Sequence, residues 1–122
     1  MIVAGFGCRS RATADSLASA LRATGHGAEV EALASLSDKV KLTAFRALAD
    51  RLGLPVIALD DARLAQVETA THSTVSLVAR GTGSVAEASA LVAAGSKARL
   101  LAPRVVSGDR LATCAIAIGE GS

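Results

Sequence analysis

Short aliphatic runs alternate with amphipathic helical stretches along most of this chain, and that alternation restricts the fold more than any other feature. A strand joined through a helix to the next strand crosses over the sheet, so the two strands run parallel and helices cover the sheet faces. Met1–Ala4 reads as the first strand, the loop Gly5–Arg11 follows, and Thr13–Thr24 reads as a helix with Leu17 and Leu21 on one face. Gly25-His26-Gly27 closes that helix, and Ala28–Leu33 is the second strand. Ser37 or Asp38 caps a helix running to about Leu52, with Gly53 beyond its end. Pro55–Leu59 is a third strand, and Asp60 caps a short helix over Asp61–Val67. Thr74–Arg80 reads as a fourth strand, and Gly81-Thr82-Gly83 leads into a helix from Ser84 to Ala94, stopped by Gly95.

The C-terminal part breaks the pattern. Arg99–Val106 and Leu111–Ile118 are strand-like and separated only by Ser107-Gly108-Asp109-Arg110, too short a link for a parallel crossover. They read as an antiparallel hairpin. The expectation is one α/β domain over residues 1–122, with a mostly parallel sheet, helices on both faces and this hairpin at one end.

The core of such a domain must be built from small pieces. Apolar residues make up 51% of the 122, but 27 are alanine and the aromatics are two Phe, with no Trp or Tyr. Small side chains let helices and strands approach closely and leave few large anchors. Without aromatic platforms, and with a net charge of only +2, base-stacking and phosphate-tracking nucleic-acid modules are disfavoured. The N-terminal run lacks a basic region and is too short for a signal peptide, and no segment reaches the ~20 apolar residues of a membrane helix. A soluble, cytoplasmic protein with no nucleic-acid or membrane partner is expected. Cys8 and Cys114 form no disulfide framework, and with His26 and His72 isolated there is no metal signature and no cofactor is implied. Oligomeric state stays open.

In a parallel sheet, ligands bind beyond the carboxyl ends of the strands. Four strand-to-helix loops fall there: Gly5–Arg11, Leu36–Lys41, Asp60-Asp61 and Gly81–Glu87. They bring Arg9, Arg11, Lys39, Lys41 and Arg80 together with Asp38, Asp60, Asp61 and Glu87. Two are glycine-rich and lead to helix N-termini, where free N–H groups favour anions. Gly5-x-Gly7 is not a dinucleotide fingerprint, because Ser10 stands in place of the third glycine. It is either a tight turn or a ligand cradle; Arg9 and Arg11 favour the cradle, since guanidinium offers paired donors to carboxylates. Cys8, beside Arg9 and near a helix start, sits where a thiol pKa can fall, or is a small half-buried loop residue. Lys41 shares a helical stripe with Phe45, Leu48 and Leu52, so it either heads the site or snorkels from an apolar face. Ser84-Val85-Ala86-Glu87 has the form of a capping box, and Glu87 is either its acidic arm or a general base.

Assembled in order, these segments resemble one family. Gly5-Phe6-Gly7-Cys8-Arg9 is similar to an opening G-x-G-C-R, Lys41 to a mid-chain lysine, and Gly81 to Ala88 to a G-x-x-S-V-x-E-A segment. Thr113-Cys114-Ala115-Ile116-Ala117 is similar to a closing T-x-A-I-A strand. The family is that of the cobalamin-biosynthesis proteins CobE and the CbiG C-terminal domain, and the chain's length is similar to the stand-alone CobE type. Ser10-Arg11 stands where Arg-Gly is frequent, and Ala44 where CbiG-type domains often carry an acid. The resemblance implies a three-layer α/β/α domain and a precorrin or corrinoid as the small-molecule partner. It implies a substrate-binding set of Gly5, Gly7, Cys8, Arg9, Arg11, Lys41, Gly81, Gly83, Ser84 and Glu87. The expected role is binding a carboxylate-rich intermediate and supporting its conversion or transfer. The alternatives are a CbiG-like hydrolase opening a lactone of such an intermediate, and an accessory subunit docking other corrin-pathway enzymes.

Overall fold

The computed structural model of the chain describes residues 1–60 and 85–120. Its described strands are β1 (Ile2–Cys8), β2 (Ala32–Leu36), β3 (Val56–Leu59), β4 (Arg99–Val106) and β5 (Ala112–Ile118), in the sheet order β3-β2-β1-β5-β4. β1 pairs parallel with β2 (Val3 opposite Ala32), and β2 parallel with β3. β5 runs antiparallel to both β1 and β4. Four of the five described strands therefore point the same way and β5 alone is reversed, which gives the mixed, mostly parallel sheet expected.

The described α-helices are α1 (Ala14–Ala23), α2 (Ser37–Val40), α3 (Thr43–Leu52) and α4 (Val85–Ala94). α1 begins where its sequence says it should. The Thr13 hydroxyl accepts from the Ser16 amide and the Ser16 hydroxyl from the Thr13 amide, a reciprocal cap. α3 and α4 both end in glycine held at positive φ, Gly53 at 67° and Gly95 at 89°, which only glycine adopts without penalty.

α1 and α3 cover one face of the sheet. Phe6, Leu17, Leu21, Leu33, Phe45, Leu48 and Ile116 are buried there, and the Phe6 and Phe45 rings meet edge to face at 5.6 Å. α4 covers the other face over Val3, Ala32, Ala34, Leu59 and Ala117, contributing Ala90, Ala93 and Ala94. This is the three-layer arrangement.

Several expectations need correction or restriction. β1 does not stop at Ala4: Gly5, Phe6, Gly7 and Cys8 stay in the strand, opposite Ala115, Cys114, Thr113 and Ala112 of β5. The glycines are strand positions with a long-range partner, which local turn chemistry does not show. β2 begins at Ala32, not Ala28, because a 3-10 turn over Gly27–Glu29 comes first. The helix expected from residue 37 or 38 to 52 is two helices. Leu42 adopts an extended ψ of 139°, and the break lets Val40, Leu42 and Ala44 all pack on the α1/α3 core. In one continuous helix Val40 and Leu42 would lie on opposite sides. Lys41 ends α2 and so heads no stripe, and Leu52 is 40% exposed. Neither Ser37 nor Asp38 caps by side chain; Leu36 is the N-cap of α2. The readings of Asp61–Val67, His72, Thr74–Arg80 and the Gly81–Ser84 turn lie outside the described residues.

Candidate functional site

Because β1, β2, β3 and β4 run the same way, their ends at Cys8, Leu36, Leu59 and Val106 lie along one edge of the sheet. Among the described residues, two clefts open there. The first has a volume of about 260 Å³ and is lined by Gly7, Cys8 and Arg9 at the end of β1. Arg104 of β4, Arg110 and Leu111 of the hairpin turn, and Ala112 and Thr113 of β5 also line it, with Val85 at the start of α4. Three arginines and no acidic residue are among its described lining residues. The second cleft, about 370 Å³, has an acidic described lining of Leu36, Ser37, Asp38 and Asp60.

The floor of the basic cleft depends on Gly7. A methyl group there would stand 2.8 Å from the Thr113 hydroxyl oxygen and 3.8 Å from Val85 Cβ. That hydroxyl donates to the Gly7 carbonyl at 3.3 Å. Arg9 leaves the strand and is pinned by its own amide, which donates to Leu111 O at 2.9 Å. The loop after β1 is thereby joined to the β4–β5 turn. Glu87, in the first turn of α4, accepts from the Arg104 amide at 3.0 Å and ties that helix to β4 beside the cleft.

Of the residues expected at the site, Gly7, Cys8 and Arg9 line the basic cleft. Gly5 lies beneath α4, where a Cβ would come within 2.1 Å of the Ala86 carbonyl oxygen and 2.4 Å of the Ala90 amide. Its missing side chain lets helix and strand meet, so it serves packing and not a cradle. Arg11 and Lys41 are exposed and are not among the lining residues of either cleft. Glu87 lies beside the basic cleft through its bond to Arg104, while Gly81, Gly83 and Ser84 lie outside the described residues. Burial raises the pKa of the half-buried Cys8 thiol; nearby Lys39 opposes the shift and Asp38 adds to it. Of the two readings of Cys8, this favours the small half-buried residue over the activated thiol, because desolvation outweighs the neighbouring cation.

Arg104 and Arg110 escaped the sequence reading. Both come from the C-terminal hairpin, and only the sheet order places that hairpin next to β1. The usable signal was the short turn itself: a strand parallel to β1 delivers its following turn to the same edge. Among the described residues, no group of three or more His, Cys, Asp or Glu is placed to hold a metal ion, and no helix is long and apolar enough to cross a membrane.

The fold and its edge define a three-layer α/β/α domain with paired clefts of opposite charge at the strand ends. The family described as "Cobalamin synthesis G C-terminus" matches residues 2–117, and the chain belongs to it, as a cobalamin biosynthesis protein of the CobE/CbiG family. Cobalamin biosynthesis protein chiG from Agrobacterium tumefaciens str. C58 is 40% identical, with 98% of this chain and 99% of that one covered and a TM-score of 0.76. CobE, a protein from the cobalamin (vitamin B12) biosynthetic pathway, is 35% identical over 100% of this chain and 92% of that chain, with a TM-score of 0.78. A cobalamin biosynthesis protein G homolog from Sulfolobus solfataricus, 20% identical, shares the fold over 99% of this chain and 37% of its own, with a TM-score of 0.68. No curated protein matches the chain.

Proposed function

We propose that this protein binds a carboxylate-rich precorrin or corrin intermediate at the basic cleft and supports its conversion or transfer. The observation that carries the reading is the convergence on one cleft of Arg9, which follows β1, with Arg104 and Arg110 of the C-terminal hairpin. Guanidinium offers two parallel donors to a carboxylate, and three such groups suit a ligand fringed by acetate and propionate arms. Gly7, Ala112 and Thr113 keep the walls low, so a ligand edge can reach the backbone. The chain holds no Tyr or Trp to stack on a macrocycle, so affinity rests on charge and shape.

Absorbance titration of the purified protein with a panel of precorrin and hydrogenobyrinate-type compounds tests the proposal. Saturable binding that weakens as salt rises is expected, because exposed charge pairs are screened over about 8–10 Å at near-physiological ionic strength. Absence of binding across the panel, with co-purification of a pathway enzyme instead, would replace this reading with that of an accessory subunit.

A further inference from the structure

The β4–β5 turn is held far more tightly than a hairpin turn requires. The Asp109 carboxylate accepts from the Ser107 hydroxyl at 2.6 Å and the Leu111 amide at 3.0 Å through one oxygen, and from the Ser16 hydroxyl of α1 through the other. Those bonds hold its carboxyl below the usual carboxylate range. Ser107 adds a bond from the Ala112 amide to its hydroxyl, and its carbonyl accepts from the Arg110 amide. At the centre of this net Arg110 has a φ of 63°, in the left-handed region that disfavours a side chain. Gly108, two residues earlier, does not use its freedom for positive φ. The turn thus places an arginine where glycine would be relaxed, and that arginine lines the cleft. Backbone strain kept at such a position points to a role for the side chain.

We infer that Asp109 is a positioning residue of the basic cleft: it bonds to Ser107 before Arg110 and to Leu111 after it, and so keeps Arg110 on the cleft wall. The inference rests on the ligand reading above. Asp109 also acts on a second arginine, since the Leu111 whose amide it holds is the residue whose carbonyl takes the Arg9 amide.

A double-mutant cycle read by hydrogenobyrinate titration tests it, with melting temperature recorded in parallel. Arg110→Ala and Asp109→Ala each weaken binding about tenfold, as expected for loss of one charge-assisted contact. The double variant loses less than the two single losses combined, because Asp109 acts mainly through the Arg110 side chain and only in part through the Arg9 loop. Asp109→Asn keeps the acceptor for Ser107 and Leu111 and so stays within about threefold of wild type even where its melting temperature falls. That variant also serves if Asp109→Ala does not fold. Arg110→Gly relieves the left-handed backbone, so its melting temperature holds or rises while affinity falls. Full additivity in the double variant, or binding by Asp109→Asn more than about threefold tighter than wild type, overturns the inference by marking Asp109 as an independent charge. If Arg110→Ala binds normally, the inference falls; if Arg9→Ala and Arg104→Ala do so as well, the ligand reading falls with it.

Discussion

Between the sheet and helices α1 and α3 lie Phe6, Leu17, Leu33, Phe45, Leu48 and Ile116, whereas alanines dominate beneath α4, with Val3 and Leu59 the larger members. The first face gains its stability from large side chains filling space. The second gains it from backbone approach: at Gly5 the helix comes so near that no Cβ fits, and at Gly119 a Cβ would stand 2.5 Å from the Ala94 carbonyl oxygen. An alanine-rich composition therefore does not mean a loosely packed protein. It means that one face is sensitive to losing atoms and the other to gaining them.

The strongest way to break that comparison is to exchange the insults. Phe45→Ala removes a fully buried ring and its edge contact with Phe6, and should cost about 3–5 kcal/mol in chemical denaturation. A cost near 1 kcal/mol would show that the first face repacks freely. Gly5→Ala should cost about 2–3 kcal/mol although it adds one methyl group, since the atoms it meets are backbone and cannot rotate away. Gly7→Ala meets the Thr113 hydroxyl, which can turn, and should cost about 1 kcal/mol or less while weakening ligand binding at the cleft floor. Equal stability losses at Gly5 and Gly7 would erase the distinction between a packing glycine and a site glycine.

A smaller effect sharpens the account of the first face, which holds both thiols. Burial raises the pKa of each, Cys114 more than Cys8. The folded chain then keeps these protons to higher pH than the unfolded one, so their contribution to stability is full below the unfolded value near 9.0 and declines as pH rises past it. At pH 8 Cys8 should alkylate more slowly than a free thiol, and Cys114 more slowly still. Rapid alkylation of Cys8 in the folded protein would restore the idea of an activated nucleophile.

What could be read from the sequence follows the same division. The ends of α1 and α4 and the C-terminal hairpin were legible, because Thr13, Gly95 and the four-residue link Ser107–Arg110 act locally. β1 runs past the stretch its local sequence marks, because Gly5 and Gly7 owe their conformation to β5, more than a hundred residues away. The break at Leu42 was hidden because Lys41, Phe45, Leu48 and Leu52 keep helical spacing, while the force that breaks the helix is tertiary packing of Val40 and Leu42. At the site, Cys8 and Arg9 were within reach of local reasoning. Arg104 and Arg110 were not, since strand order decides which turn lies beside which strand end.

Hydrogenobyrinate affinity of Arg9→Ala set against Lys41→Ala tests the central claim most directly, because both cations follow strands at the same edge but only Arg9 lines the basic cleft. Arg9→Ala should lose about 1.5–3 kcal/mol of binding, roughly 10- to 100-fold, with its melting temperature nearly unchanged. Lys41→Ala should stay within about twofold of wild type, as an exposed charge outside the contact contributes little. Equal losses in the two variants, or a loss confined to Lys41→Ala, would contradict the placement of the ligand in this cleft.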